Sequence, residues 1–264
     1  MATIVYCHAH PDDEASQTSG TMARAADQGH RVVVVFATNG DHGEVAVDAV
    51  EGETVAAYRA REAAASAAAI GLARVAWLGY ADSGMAGWSQ NDEEGSLHRA
   101  DVDEAARRLA DILDEERADV VVGYDWHGGY GHPDHVKVHH VVHRAAELAH
   151  RRPRLLESTM SRDETIRLVA MGREAGMELD DFDPAQPMDD GNPFGSPEDE
   201  ITWRVDVSAF LDRKRASLEA HRSQATDIEM FLSMPAEVFD LFFGHEYLIE
   251  PGHDGPMRDG WPFG

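Results

Sequence analysis

Short β-branched runs and longer helical repeats alternate through the first 175 positions of the chain. The runs Ile4 to Cys7, Arg31 to Thr38, Arg74 to Leu78, Val120 to Gly123 and Arg154 to Thr159 have the length and content of buried strands. Between them, Ala15 to Gln28, Thr54 to Ile70, Asp101 to Arg117, Pro133 to about Ala149 and Asp163 to Ala175 read as helices. In the third of these, Val102, Ala105, Ala106, Leu109, Ile112 and Leu113 repeat at the spacing of a helix packed on a sheet. Strands alternating with helices predict an α/β fold. It would be Rossmann-like, with a doubly wound, mostly parallel sheet, helices on both faces and ligands at the carboxyl ends of the strands. Residues 1–175 would form this core. The stretch 176–200 is rich in Asp, Pro and Gly and lacks a period, which predicts an irregular acidic loop or lid. Beyond it, a strand at Ile201 to Val207, a helix at Ser208 to His221 and an amphipathic stretch at Met230 to Phe243 predict a small C-terminal α/β extension (201–264) packed on that core.

Composition narrows the partners. Forty-nine acidic against 23 basic residues leave a formal net charge of −26, which repels nucleic-acid phosphates and anionic lipid. Cys7 is alone, so no intrachain disulfide can form and a reducing cytoplasm is the expected setting. The N-terminus enters the first strand without a signal-type stretch, and no apolar run reaches membrane-spanning length. Neither a Walker-type loop nor a GxGxxG fingerprint is present, so a nucleotide cofactor is not expected.

Polar chemistry gathers at two strand ends. After the first strand the chain reads HAHPDDE, placing His10, Asp12, Asp13 and Glu14 within five residues, with Pro11 enforcing an extended or turn conformation. After the fourth strand it reads Tyr130-Gly-His-Pro-Asp-His135. Catalytic zinc takes three imidazole or carboxylate ligands and leaves a position for water, and the first stretch supplies two at most. Helix capping is the plain reading of one such cluster. Two clusters on two strand ends point instead to one shared site. Asp82 follows the third strand and would lie at the same sheet edge as His10. The loop Gly40 to Glu44 suggests either close backbone approach or a tight turn, and Arg59 with Glu62, three apart, reads as a surface ion pair. His135, His139 and His143 share one helical face, but without the glutamate of HExxH they read as helix-surface or interface histidines. His8 is expected to point to the other face of its strand, His140 to the surface, and His42, His127 and His221 carry no assignment.

HAHPDDE with a distant HPDH resembles the zinc-dependent de-N-acetylase family that includes N-acetylglucosaminyl-phosphatidylinositol deacetylase and the LmbE-like bacterial enzymes. The resemblance implies that His10, Asp13 and His135 hold Zn2+, with Fe2+ accepted by the same donor types, and that Asp12 is the general base. His132 would stabilise the oxyanion or protonate the leaving amine, Tyr130 would add a hydrogen bond, and Glu14 and Asp134 would support the ligands. The similarity is sharpest to the mycothiol-pathway deacetylase and S-conjugate amidase of that family. Their arginine three before a glutamate matches Arg59 and Glu62, and their Asp-Ser-Gly-Met matches Asp82 to Met85, which makes Arg59 and Asp82 substrate contacts by resemblance. Gln17 departs from both, where one has serine and the other lysine, and is carried as a further substrate contact.

The implied function is hydrolysis of an N-acyl, chiefly acetyl, group from a small glucosamine-containing amide. Cleavage of mycothiol conjugates is the near alternative. A non-catalytic sugar-binding protein and a two-metal phosphoesterase are the alternatives of other classes.

Overall fold

The computed structural model describes residues 1–44, 52–174, 182–188 and 190–263. Its centre is β1 (Thr3–His8), flanked in parallel by β2 (Arg31–Thr38) and β4 (Val120–Tyr124). With β3 (Arg74–Tyr80) outside β2 and β5 (Arg154–Thr159) outside β4, the first five strands run in the order β3-β2-β1-β4-β5, all parallel. The order reverses between β1 and β4. Such a switch point opens a crevice beyond the strand ends, and both polar clusters of the sequence lead into it.

Alternation along β1 builds two cores from one strand. Val5 and Cys7 join Val33, Val35 and Val121 on one face, under α4 (Val102–Glu116) and α5 (Pro133–Leu148). Ile4 and Tyr6 join Val32, Val34 and Val122 on the other, under α2 (Ser19–Asp27) and α3 (Val55–Ile70). Every one of these strand residues is buried, as a sheet covered on both faces requires. Asp101 caps α4 by accepting from the Glu104 N–H at 2.9 Å, and Thr54 caps α3 through Ala57 at 3.2 Å. Gly71 ends α3 in the left-handed region.

The expected helix over Ala15 to Gln28 is two helices, α1 (Asp13–Gln17) and α2, broken at Thr18. Thr18 has non-helical angles (φ −134°, ψ 0°), and its hydroxyl lies 2.7 Å from His8 Nε2. Residue periodicity carries no mark of that long-range bond. After α6 (Arg162–Glu174), the described part of 176–200 has neither helix nor long strand. It is tied to the loop after β4 by Gly195 N–H donating to Gly129 O at 2.7 Å.

Downstream, β6 (Trp203–Asp206) and α7 (Leu211–Ala220) fall inside the expected strand and helix. The amphipathic stretch resolves into α8 (Ala225–Leu232) and α9 (Ala236–Phe243), divided at Pro235, which cannot continue a helix from its N-terminal side. Two strands had no sequence signal, β7 (His245–Ile249) and the short β8 (Arg258–Asp259). β7 pairs antiparallel with both β5 and β6, so the C-terminal residues extend the same eight-stranded sheet. Its Glu246 disguised it. That carboxylate is buried because it accepts from Gly20 N–H (2.8 Å), Thr21 N–H (2.7 Å) and Lys214 Nζ (2.8 Å). Among the described residues no helix is long and apolar enough to cross a membrane.

Helix α5 seats closely on β4 because Gly123 has no side chain, and a Cβ there would stand 2.9 Å from Val142 Cγ2. Gly123→Ala should therefore cost about 1–3 kcal/mol by overpacking, and Val142→Ala in the same chain should recover part of it. Urea melts of the two single variants and the double variant test this; additive losses would refute the contact.

Candidate active site

The first motif turns out of β1 and immediately starts α1. Asp12, between them, has φ 129° and ψ −28°, a conformation rare outside glycine that stores about 1–3 kcal/mol of strain. Neighbours on several elements hold it there. Glu14 accepts from the Asp12 N–H at 3.0 Å, while Arg59 donates to Asp12 Oδ2 at 2.8 Å, to Gly40 O at 2.9 Å and to Pro11 O. Gly40 is needed at that approach, since a Cβ on it would meet the guanidinium. The close backbone approach read from the loop is thus made to Arg59.

Arg59, Glu62 and Ser66 lie on one face of α3 and all are buried. This corrects the surface ion pair expected for the first two. Glu62 instead accepts from Ser223 N–H (2.8 Å) and Oγ (2.5 Å), and Ser66 donates to Glu14 Oε1 at 2.5 Å. His221, unassigned from sequence, reaches the same Glu14 oxygen at 2.7 Å. Glu14 therefore braces the backbone of Asp12. Against burial, which pushes it up, His221 holds the Glu14 carboxyl below the usual range.

Asp13 is gripped from two strands. Its Oδ2 accepts from the His10 N–H and from the Tyr124 hydroxyl, each at 2.8 Å, which leaves Oδ1 facing His135 Nε2 at 3.3 Å. Burial opposes its charge, but His135 and His10 hold it well below the usual carboxylate range. Tyr124 also stacks on the His135 ring, with centroids 4.3 Å apart and planes 6° from parallel. Sequence reasoning passed over Tyr124. Its one signal was position, the first polar side chain at the end of the fourth apolar run.

The second motif opens α5. His132 is the N-cap, its Nδ1 accepting from the Asp134 N–H at 3.1 Å, and Pro133 occupies the first turn. That bond puts the ring proton of neutral His132 on Nε2. Burial, and then the nearby His10 and His135, lower its pKa to about 2. His135 Nδ1 lies 3.1 Å from Gly128 O, so it donates there and Nε2 keeps its lone pair. That Nε2 is buried without a hydrogen-bond partner.

His10 sits among three carboxylates. Its Nδ1 is 3.4 Å from Asp13 Oδ2, and its Nε2 is 3.1 Å from Asp134 Oδ2 and 3.5 Å from Asp82 Oδ1. Asp134 is fully buried and further held by Ser83 N–H (2.9 Å) and Oγ (2.5 Å). Burial works against a charged His10, yet Asp82, Asp13 and Asp134 raise its pKa well above the usual imidazole value. For Asp12, partial burial raises the carboxyl to about 6 despite the Arg59 guanidinium beside it.

Three histidines, His10, His132 and His135, each offer a nitrogen within 4.8 Å of the others. The donor chemistry suits a divalent cation: a buried lone pair on His135 Nε2 without a partner faces a carboxylate oxygen of Asp13, and a second imidazole is backed by Asp134. Tyr130 packs its ring 5.0 Å from His135, and Gln17 Nε2 approaches Asp13 Oδ1 at 3.5 Å. Of the residues expected to contact substrate, Arg59 is turned to Asp12 and Asp82 to His10. His8 supports the site by bonding Thr18 and Tyr124 (3.1 Å), and His127, also unassigned, lies 3.2 Å from Gly195 O.

Residues 5–146 match the family profile of PIG-L, the GlcNAc-PI de-N-acetylases. A 1D-myo-inositol 2-acetamido-2-deoxy-alpha-D-glucopyranoside deacetylase of Acidothermus cellulolyticus is 37% identical over 98% of this chain and 94% of its own length. A protein of the same name from Saccharomonospora viridis is 38% identical over 84% of this chain and 85% of its own. Among solved structures, the N,N'-diacetylchitobiose deacetylase of Pyrococcus horikoshii superposes with a TM-score of 0.54 at 20% identity, covering 90% of this chain and 73% of the other. A 4-carboxy-2-hydroxymuconate hydratase of Pseudomonas putida does so with a TM-score of 0.59 at 17% identity, covering 98% and 99%. The fold therefore hosts more than one chemistry, and the sequence match separates them. With more than half its length matching that profile and relatives above 30% identity over nearly all of it, the chain belongs to the GlcNAc-PI de-N-acetylase family, metal-dependent enzymes that act on amide bonds.

Proposed function

We propose that this enzyme removes the acetyl group from an N-acetylglucosaminyl-inositol, with Zn2+ as its metal and the cytoplasm as its setting. The observation that carries the reading is the unpartnered His135 Nε2 facing Asp13 Oδ1 at 3.3 Å, with strained Asp12 next in the chain. The names of the two deacetylase relatives support the substrate class. His10 Nδ1, Asp13 Oδ1 and His135 Nε2 are the donors that would hold the ion. When bound, it would supply Lewis acidity, acidifying water and polarising the amide carbonyl.

The rest is the work of the chain's own groups. Asp12 accepts a proton from the attacking water, and its raised pKa suits it to pass that proton to the departing nitrogen. Acetate and a free amine result. Arg59 holds the Asp12 carboxylate and Glu14 its backbone N–H, so little reorganisation is needed at the moment of transfer. His132 contributes its Nε2–H to the oxygen that becomes negative as water adds, acting as neutral imidazole because its Nδ1 lone pair is committed to the cap of α5. That commitment also separates it from the metal ligands. Tyr130, whose ring lies beside His132 and His135, would add a second hydrogen bond. Gln17, and the described part of the acidic segment that leans on the loop after β4, would shape the pocket mouth for the inositol.

Asp12→Asn should lower kcat on N-acetylglucosaminyl-inositol by about 10²–10⁴-fold while leaving metal content unchanged by elemental analysis. Unchanged turnover would remove Asp12 from the chemistry and favour the sugar-binding alternative. His132→Ala should cost about 10²–10³-fold in kcat with little change in KM; loss of bound metal instead would make it a ligand. Chelation should abolish turnover and added Zn2+ restore it. In the same assay, faster hydrolysis of a mycothiol conjugate than of the acetylated sugar would assign the amidase activity.

A further inference from the structure

One and two turns beyond His135 on α5, a second set of donors converges that the reaction does not use. His139 and His143 stand four residues apart, with ring centroids 4.3 Å from each other. From β5 beneath them, Glu157 brings Oε1 to 2.6 Å from His143 Nε2 and 3.5 Å from His139 Nδ1. One ligand atom of each of these three residues lies within 4.8 Å of the other two. The sequence showed the histidine pair but not the carboxylate, which arrives from another element.

We propose that His139, His143 and Glu157 form a second divalent-metal site, separate from the catalytic pocket and selective for zinc-like ions over Mg2+ and Ca2+. Two imidazoles and one carboxylate are a donor set that zinc, cobalt and nickel prefer and that hard oxygen-seeking ions do not. His139 Nδ1 lies nearer to Tyr124 O (3.1 Å) than to Glu157 Oε1 (3.5 Å), and donating to that carbonyl would make Nε2 the nitrogen offered to an ion, the backing that metal-bound histidines commonly have. The nearby acids Asp103 and Glu147 are engaged by Arg144 at 2.8 and 2.9 Å, which leaves Glu157 as the carboxylate at the cluster. The side chains of His139 (13% exposed) and His143 (35% exposed) border a shallow cleft with Asp103, His140 and Arg144, giving an ion access and room for a water as its remaining ligand.

Binding would displace the hydrogen bond between His143 and Glu157, the neutral imidazole then carrying its one proton on Nδ1. The two ligand atoms would then move from 2.6 Å to about 3.3 Å, the edge of a tetrahedron with bonds of about 2.0 Å. The competing account is a metal-free His–Glu–His hydrogen-bonded clamp between α5 and β5.

Equilibrium dialysis of the chelator-stripped full chain against Zn2+ or Co2+, followed by elemental analysis, decides between them. The wild type should take up two ions per chain. His139→Ala/His143→Ala and Glu157→Gln should each take up one and keep deacetylase activity, while His10→Ala/His135→Ala should keep the other ion. If the double histidine variant fails to fold, Glu157→Gln, which preserves size, gives the same count. One ion in the wild type, two in Glu157→Gln, or loss of both ions in His10→Ala/His135→Ala would overturn the proposal; the last would indicate a two-metal catalytic pocket.

Discussion

The Asp13 carboxylate is the joint on which the pocket depends. Its Oδ2 is fixed by an N–H from the end of β1 and by the hydroxyl of Tyr124 at the end of β4, so the two strands flanking the switch point share one oxygen. With that oxygen committed, only Oδ1 is left to face His135 on α5. A buried carboxylate holding two hydrogen bonds has little freedom to rotate, and its charge is stabilised by the imidazoles on either side. The sheet order, the length of β4 and the start of α5 all matter to the chemistry because they set where this group's partners stand.

Strain at Asp12 follows from the same arrangement. Asp13 must point back to the strand end to meet Tyr124, and the chain must begin α1 at once, so the turn falls on Asp12 at positive φ. Glycine would relieve the backbone but would remove the carboxylate. The cost is met by groups from α3 and the end of α7: Arg59, and Glu14 held by Ser66 and His221. Those contacts explain why residues that α3 presents three and four apart are polar and buried. In a helix serving only to cover a sheet they would be apolar.

Much of this was legible in the chain. Strands β2 and β5 match the expected bounds, and the ends of α4 follow Asp101 and the left-handed Arg117, because apolar periodicity and caps are local signals. The convergence of His10, Asp13 and His135 was legible through two motifs at two strand ends. What escaped notice was non-local. Tyr124, His221 on Glu14 and Glu157 beneath the histidine pair each act across more than ten residues, and no spacing rule connects them. Polar residues buried by such bonds also disguised structure: Thr18 splits a helix and Glu246 hides a strand.

Charge explains why the carboxylates gather where they do. Asp13, Asp82 and Asp134 surround His10, and a neutral imidazole cannot balance three buried acids within 3.5 Å. A proton on His10 supplies one positive charge, which is why its pKa rises in spite of burial. A divalent cation held by Nδ1, as proposed, would supply two, and the Nε2 contact to Asp134 on the far side of the ring would remain. Asp82 has a partner in His10 whatever else it contacts. Its negative charge beside Nε2 would strengthen His10 as a donor if that histidine holds the ion.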